Sequence, residues 1–95
     1  MGYLLNCCRL KLNYLLKLVY LALKDYKKRY QIFLRKLKNA RIEAGLTQKE
    51  VSQLLNKPQS YVSKCESGER RIDFVELEIF AEIYGKDISY FKTEE

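Results

Sequence analysis

Pro58 is the only proline in the chain, and it interrupts a stretch whose apolar residues otherwise recur at helical spacing. A proline inside a helix removes a backbone donor and clashes with the preceding turn, so one continuous helix through this stretch is excluded. Asn56 tolerates left-handed backbone, and Lys57, standing before a proline, is steered away from helical geometry. Pro58 fits the first position of a new helix, where its missing N–H would have gone unpaired in any case. The pattern predicts two short helices joined by a tight turn, the second over residues 58–67.

The flanking sequence extends the helical reading. Tyr30, Phe33, Leu34, Leu37, Arg41 and Ala44 recur every three or four residues, which predicts a helix over 28–44 stopped by Gly45. Thr47-Gln48-Lys49-Glu50 matches a capping box, and Val51, Leu54 and Leu55 supply the buried face behind it. In the helix after the proline, Val62 and Cys65 face inward, and Gly68 ends it. Asp73 and Glu76 cap a fourth helix whose apolar stripe is Phe74, Leu77, Phe80, Ala81 and Tyr84, ended by Gly85. Asp87 caps a last short helix that buries Ile88 and Phe91. No useful stretch alternates with period two and no repeat is evident, so the expected class is all-α, with five helices and an additional amphipathic N-terminal helix.

Residues 3–23 hold nine leucines, about the length of a membrane span. Arg9, Lys11 and Lys17 oppose that reading, since a central Lys or Arg costs about 2.5–3.5 kcal/mol while each Leu returns about 0.3–0.6. A cleaved signal peptide fits poorly too, because the apolar run is interrupted and no small-residue site follows. As a helix the segment is amphipathic: Asn6, Arg9, Asn13, Lys17, Tyr20, Lys24 and Lys27 form one polar stripe, which Lys11 breaks. Its apolar face can dock on the domain or a second subunit, or lie on a bilayer surface. The segment also reads as translated upstream sequence with the natural start near Leu23. The division expected is a Leu-rich basic extension over 1–26, a folded unit over 27–91 and a tail over 92–95.

Charge separates along the chain. The net charge is +6, from 18 basic and 12 acidic residues; residues 1–38 carry ten basic side chains against Asp25, whereas 72–95 carry seven acids against Lys86 and Lys92. The 47–71 stretch is net positive. Such polarity suits a protein that turns one side toward phosphate. The chain has no histidine, the commonest general base, and no nucleophile-elbow, phosphate-loop or zinc-protease pattern, so no enzyme is expected. No cofactor and no metal are expected. Cys7, Cys8 and Cys65 have no metal spacing, and an odd count fits a reducing cytoplasm; Cys65 reads as a small core residue.

Two short helices around a tight turn, the second presenting Gln59, Ser60, Tyr61, Ser63 and Lys64, make a helix-turn-helix. These residue types suit base edges: Gln pairs in a bidentate way with adenine, Lys donates to guanine, and Ser serves either. The stretch LTQKEVSQLLNKPQSYVSKCESGERRIDFVELEIFAEIYGKD resembles the phage-repressor-like (Xre) helix-turn-helix domain, the class of the lambda repressor, over about residues 27–91. The carrying pattern is Arg41, Gly45-Leu46-Thr47-Gln48, Val51, Val62-Ser63, Glu66-Ser67-Gly68, Leu77 and Ala81. Asn56 stands where relatives often have glycine, and Cys65 where a larger apolar residue is common.

The resemblance implies a five-helix domain that binds double-stranded DNA as a homodimer on a roughly palindromic operator and regulates transcription, as a repressor in the nucleoid-bearing cytoplasm. It implies base reading by Gln59, Ser60 and Lys64. It places Gln48, Tyr61, Ser63, Arg70 and Arg71 at the phosphate backbone, with Gln48 also bracing the recognition helix. Arg41 and Glu66 match a structural ion pair. Lys64, Arg70 and Arg71 also read as ordinary solvated residues. An antitoxin-like protein-binding module on the same fold is the competing reading, and a membrane-surface role for residues 1–23 is the weaker one.

Overall fold

The computed structural model describes residues 13–20 and 26–93. Residues 13–20 are helical. Four α-helices follow: α1 (Tyr26–Glu43), α2 (Gln48–Leu55), α3 (Gln59–Ser67) and α4 (Phe74–Tyr84), then a 3-10 turn over Ile88–Phe91. There is no strand among the described residues. Of the expected leader stripe, Asn13, Lys17, Tyr20 and Lys27 are described, the last within α1; Asn6, Arg9 and Lys24 lie outside the described residues, as do Lys11, Cys7 and Cys8. No helix among the described residues is long and apolar enough to cross a membrane.

The helix boundaries follow from local chemistry. Thr47 and Glu50 form a reciprocal capping box on α2, with Glu50 N–H donating to Thr47 Oγ1 at 3.1 Å and Thr47 N–H to Glu50 Oε1 at 3.0 Å. Asp73 and Glu76 do the same for α4 at 2.8 and 3.1 Å. Each arrangement satisfies two amides that the helix start leaves orphaned. At the other end of α2 the Asn56 and Lys57 amides fold back on Gln53 and Ser52 carbonyls at 3.1 and 2.9 Å. This closure needs left-handed backbone, and Asn56 supplies it at φ 55°.

Pro58 lies one residue earlier relative to the helix than the sequence predicts. Its ψ of 154° is extended, so it caps α3 and Gln59 begins the helix. The proline carbonyl accepts from the Tyr61 amide at 2.9 Å, and its missing N–H deprives the turn of nothing. Gly68 closes α3 at φ 87°, a backbone that other side chains adopt only with strain, and a Cβ there would come within 2.9 Å of Leu34 Cδ1 on α1, so the end of the Leu34 side chain would have to move.

The core is formed by Leu37 and Ala40 of α1, Val51 of α2, Val62 and Cys65 of α3, Phe80, Ala81 and Tyr84 of α4, and Phe91. Cys65 is fully enclosed, and burial pushes its thiol pKa up. Three residues of the expected apolar faces are outside. Leu54 is 64% exposed, because α2 turns in Val51, Ser52 and Leu55 instead; Ser52 is buried with its hydroxyl donating to the Lys49 carbonyl at 2.6 Å. Phe74 is 61% exposed, because the inward stripe of α4 begins one turn later at Leu77. Ala44, at the C-terminal edge of α1, is exposed as well.

The chain end returns to its first described long helix. Phe91 packs edge-on against Phe33 with ring centroids 6.2 Å apart, Arg29 donates to Thr93 Oγ1 at 3.0 Å, and Lys36 donates to the Lys92 carbonyl. Residues 92 and 93 of the expected tail are therefore tied to α1; 94 and 95 lie outside the described residues.

The left-handed turn generates a stability prediction. Asn56→Gly should leave urea-unfolding stability within a few tenths of a kcal/mol, whereas Asn56→Val should cost about 1–2 kcal/mol, since a branched side chain resists positive φ.

Candidate nucleic-acid interface

α3 is held from behind and open in front. Val62 and Cys65 are fully buried, while Gln59, Ser60, Ser63 and Lys64 are exposed. Among the described residues none of these four side chains has a hydrogen-bonding or ionic partner. Two turns of helix thus present amide, hydroxyl and ammonium groups with unused capacity.

Glu66 fixes the rotation of that helix. Arg41 Nε donates to Glu66 Oε2 at 2.7 Å and Arg41 Nη2 to Oε1 at 3.2 Å, a bidentate pair from α1 to α3. Arg41 Nη1 also donates to the Leu46 carbonyl at 2.9 Å, and Gln48 Nε2 donates to Glu66 Oε1 at 3.0 Å. The Glu66 carboxylate therefore joins α3 to α1 and to the first residue of α2, and Arg41 in turn holds the α1–α2 connection. The two side chains are 12% and 5% exposed. The hydrogen bond that Arg41 donates to Glu66, opposed by burial, raises the Arg41 pKa. Gln48 is only partly exposed, and its amide nitrogen is directed at Glu66, which leaves one N–H for an outside acceptor.

The two arginines after α3 are ordered in different ways. Arg70 donates to Glu76 Oε2 at 2.7 Å and lies 4.7 Å above the Tyr61 ring. Tyr61 is half-buried, and its hydroxyl donates to the same carboxylate. A backbone contact from the Tyr61 hydroxyl would require it to leave Glu76. Burial, then the Glu76 hydrogen bond, raises the Tyr61 pKa. Burial opposes ionisation of Glu76, but hydrogen bonds from Tyr61, the Asp73 amide and Arg70 prevail and hold its carboxyl below the ordinary 4.5.

Arg71 instead rests on aromatic faces, 5.0 Å from the Tyr26 ring and 4.8 Å from that of Tyr30, and donates to the Tyr26 hydroxyl. Those two rings stack 6.3 Å apart, and the Tyr30 hydroxyl accepts from the Ile72 amide at 3.3 Å. Sequence reasoning placed Tyr26 in the leader and gave Tyr30 only a core role. Their spacing of four residues, which puts both rings on one face of α1, was the available signal. Lys57 Nζ, 5.5 Å from the centre of the Tyr61 ring, is a further cation at the turn that the sequence reading left unassigned. Arg29 on α1 is turned toward Thr93.

The sequence pattern of the helix-turn-helix family matches residues 37–91, from within α1 to the end of the 3-10 turn. A solved structure, an XRE-family like protein from Pseudomonas syringae pv. tomato str. DC3000, superimposes with a TM-score of 0.67 at 41% identity. The alignment covers 74% of this chain and 85% of that one. The chain belongs to the XRE-type helix-turn-helix family. No curated protein matches it. As a member of this family it has the fold of a DNA-binding regulator. In XRE terms, α2 and α3 are the helix-turn-helix pair, and the Arg41–Glu66 pair is the strut behind it.

Two outcomes follow. Glu66→Ala should lower stability to urea by about 3 kcal/mol, because it leaves a mostly buried guanidinium without its carboxylate. Acid should also destabilise the domain. The Glu76 carboxyl has a depressed pKa in the folded state, so its contribution is complete above about 4.5 and is lost as pH falls through the lower folded value. Thermal melts monitored by circular dichroism should therefore decline from about pH 4.5 downward, and Glu76→Gln should flatten that decline.

Proposed function

We propose that this protein is a sequence-specific regulator of transcription, a repressor that reads the major groove of double-stranded DNA with α3. The carrying observation is the exposed, unpartnered set Gln59, Ser60, Ser63 and Lys64 on a helix whose rotation Glu66 fixes. Gln59 and Ser60 lie in the first turn, the part of a recognition helix that meets base edges, and Lys64 lies one turn further along. Gln59 offers the donor and acceptor that adenine requires, Ser60 serves either base, and Lys64 donates to guanine or to a nearby phosphate.

Backbone contacts would come from Gln48, Ser63 and Arg71, with Arg70 adding to them and Tyr61 acting through the arginine stacked on it. Phosphate contacts set register and affinity and carry no sequence information, so the two groups of residues do separable work. A half-site read by one helix calls for a second copy on a roughly palindromic operator. Such a protein works where the DNA is, in the cytoplasm at the nucleoid. The part that binds is the folded unit from α1 through the 3-10 turn, which takes in Tyr26 under Arg71 and residues 92 and 93 against α1.

The test is selection of bound duplexes from a random pool, followed by titration of variants. Gln59→Ala should cost about 1–3 kcal/mol on the selected site and loosen preference at one base position. Arg71→Ala should weaken binding to every duplex alike and reduce the salt slope by about one. Unchanged preference in Gln59→Ala would remove α3 as the reader.

A further inference from the structure

A surface cleft of about 390 Å³ lies where the end of α3 meets the start of α1, among Tyr26, Lys27, Tyr30, Gln31, Ser67 and Arg71. The family pattern begins at residue 37, so the α1 side of this cleft stands before it. Its two cations come from different elements, Lys27 from α1 and Arg71 from the loop after α3. Arg71 has no carboxylate partner among the described residues. Two positive side chains at one cleft repel each other, and an anion seated there turns the repulsion into attraction.

The tyrosines set what Arg71 can grip. Its guanidinium lies 5.0 Å from the Tyr26 ring and 4.8 Å from the Tyr30 ring, and one N–H goes to the Tyr26 hydroxyl. Stacking covers the flat face of a guanidinium and leaves the rest of its N–H edge in plane, the geometry that holds phosphate oxygens. The Tyr30 hydroxyl accepts from the Ile72 amide at 3.3 Å, so the same ring also fixes the backbone beside Arg71. Gln31 is exposed, and its amide has no hydrogen-bond partner among the described residues.

Position decides which phosphate. Ser60, Lys64 and Ser67 are exposed and spaced by four and three residues, so Ser67 continues the outward stripe of α3 into the cleft. The seven-residue step from Ser60 to Ser67 rises about 10 Å. A major groove is about 12 Å wide. A helix whose first turn meets base edges in that groove therefore reaches its wall, where the phosphates stand, by the time it reaches the cleft.

We propose that this cleft seats a phosphate of the DNA backbone beside the bases read by α3, a role that rests on α3 being the reader. Lys27, Gln31 and Arg71 make the contacts. Tyr26 and Tyr30 are positioning residues that act through Arg71.

The experiment is a salt titration of the full chain on two duplexes, the selected site and an unrelated sequence. Lys27→Ala should lower the salt slope by about one on both, as loss of one phosphate contact does. Tyr26→Ala should weaken both about two- to fivefold, the worth of an exposed cation–π contact. Tyr26→Phe, which keeps the ring, should stay near wild type. Tyr26 is 62% exposed, so neither change should move the melting temperature. In an Arg71→Ala background Tyr26→Ala should cost nothing more; an equal cost in both backgrounds would overturn the positioning role. Ethylation of one phosphate beside the selected bases should hinder the wild type and not Arg71→Ala, and the absence of such a phosphate would overturn the seat. If Gln59→Ala loosens base preference while the Lys27 and Tyr26 variants bind like wild type, the reader stands and the seat is gone. The reverse pattern retains the seat and removes the reader. A chain that binds neither duplex overturns both.

Discussion

The Glu66 carboxylate is the constraint on which the rest of the arrangement depends. It accepts from Arg41 and Gln48 together, and so ties the last turn of α1 and the start of α2 to the last turn of α3. A buried ion pair is weak evidence for net stability, because desolvation offsets much of the attraction. What it sets here is orientation. Successive helical residues differ by about 100°, so a one-residue rotation of α3 would carry Gln59 or Ser60 toward the core and bring Cys65 or Val62 out. Apolar packing of two small buried side chains is poorly directional; a bidentate guanidinium–carboxylate contact is strongly so.

The arginines beyond α3 show two ways of ordering a long cation, with different electrostatic results. Arg70 is paired with Glu76, and much of its charge is compensated locally. Arg71 is held by the faces of Tyr26 and Tyr30, which restrict it without supplying a full opposite charge. Glu76 meanwhile has three tasks, capping α4, accepting from Tyr61 and pairing with Arg70. Protonating it would loosen a helix start and release an arginine at once.

Most of this fold was legible because its stop and start signals are local. Thr47-x-x-Glu50, Asp73-x-x-Glu76, Gly45, Asn56, Gly68 and Gly85 act within a few residues of themselves, and the observed boundaries fall at them. The Arg41–Glu66 contact was legible only through the family resemblance, since nothing in the spacing of 25 residues reveals it. Leu54 and Phe74 were misplaced because periodicity gives a face to within about one residue, and tertiary packing chose the neighbour. Pro58 was misplaced by one position because the first helical residue and its cap both tolerate proline. The tyrosine cradle of Arg71 was not legible, as it joins residues 45 positions apart through an element whose start the sequence did not fix.

The tie between the chain's last turn and α1 has a kinetic consequence. α2, the turn and α3 are neighbours in sequence and can meet early, since short loops close at little entropic cost. Phe91, Lys92 and Thr93 must instead find Phe33, Lys36 and Arg29 across more than fifty residues. The helix-turn-helix pair is thus built to assemble first, and the closing clasp of 3-10 turn on α1 to form last and open first.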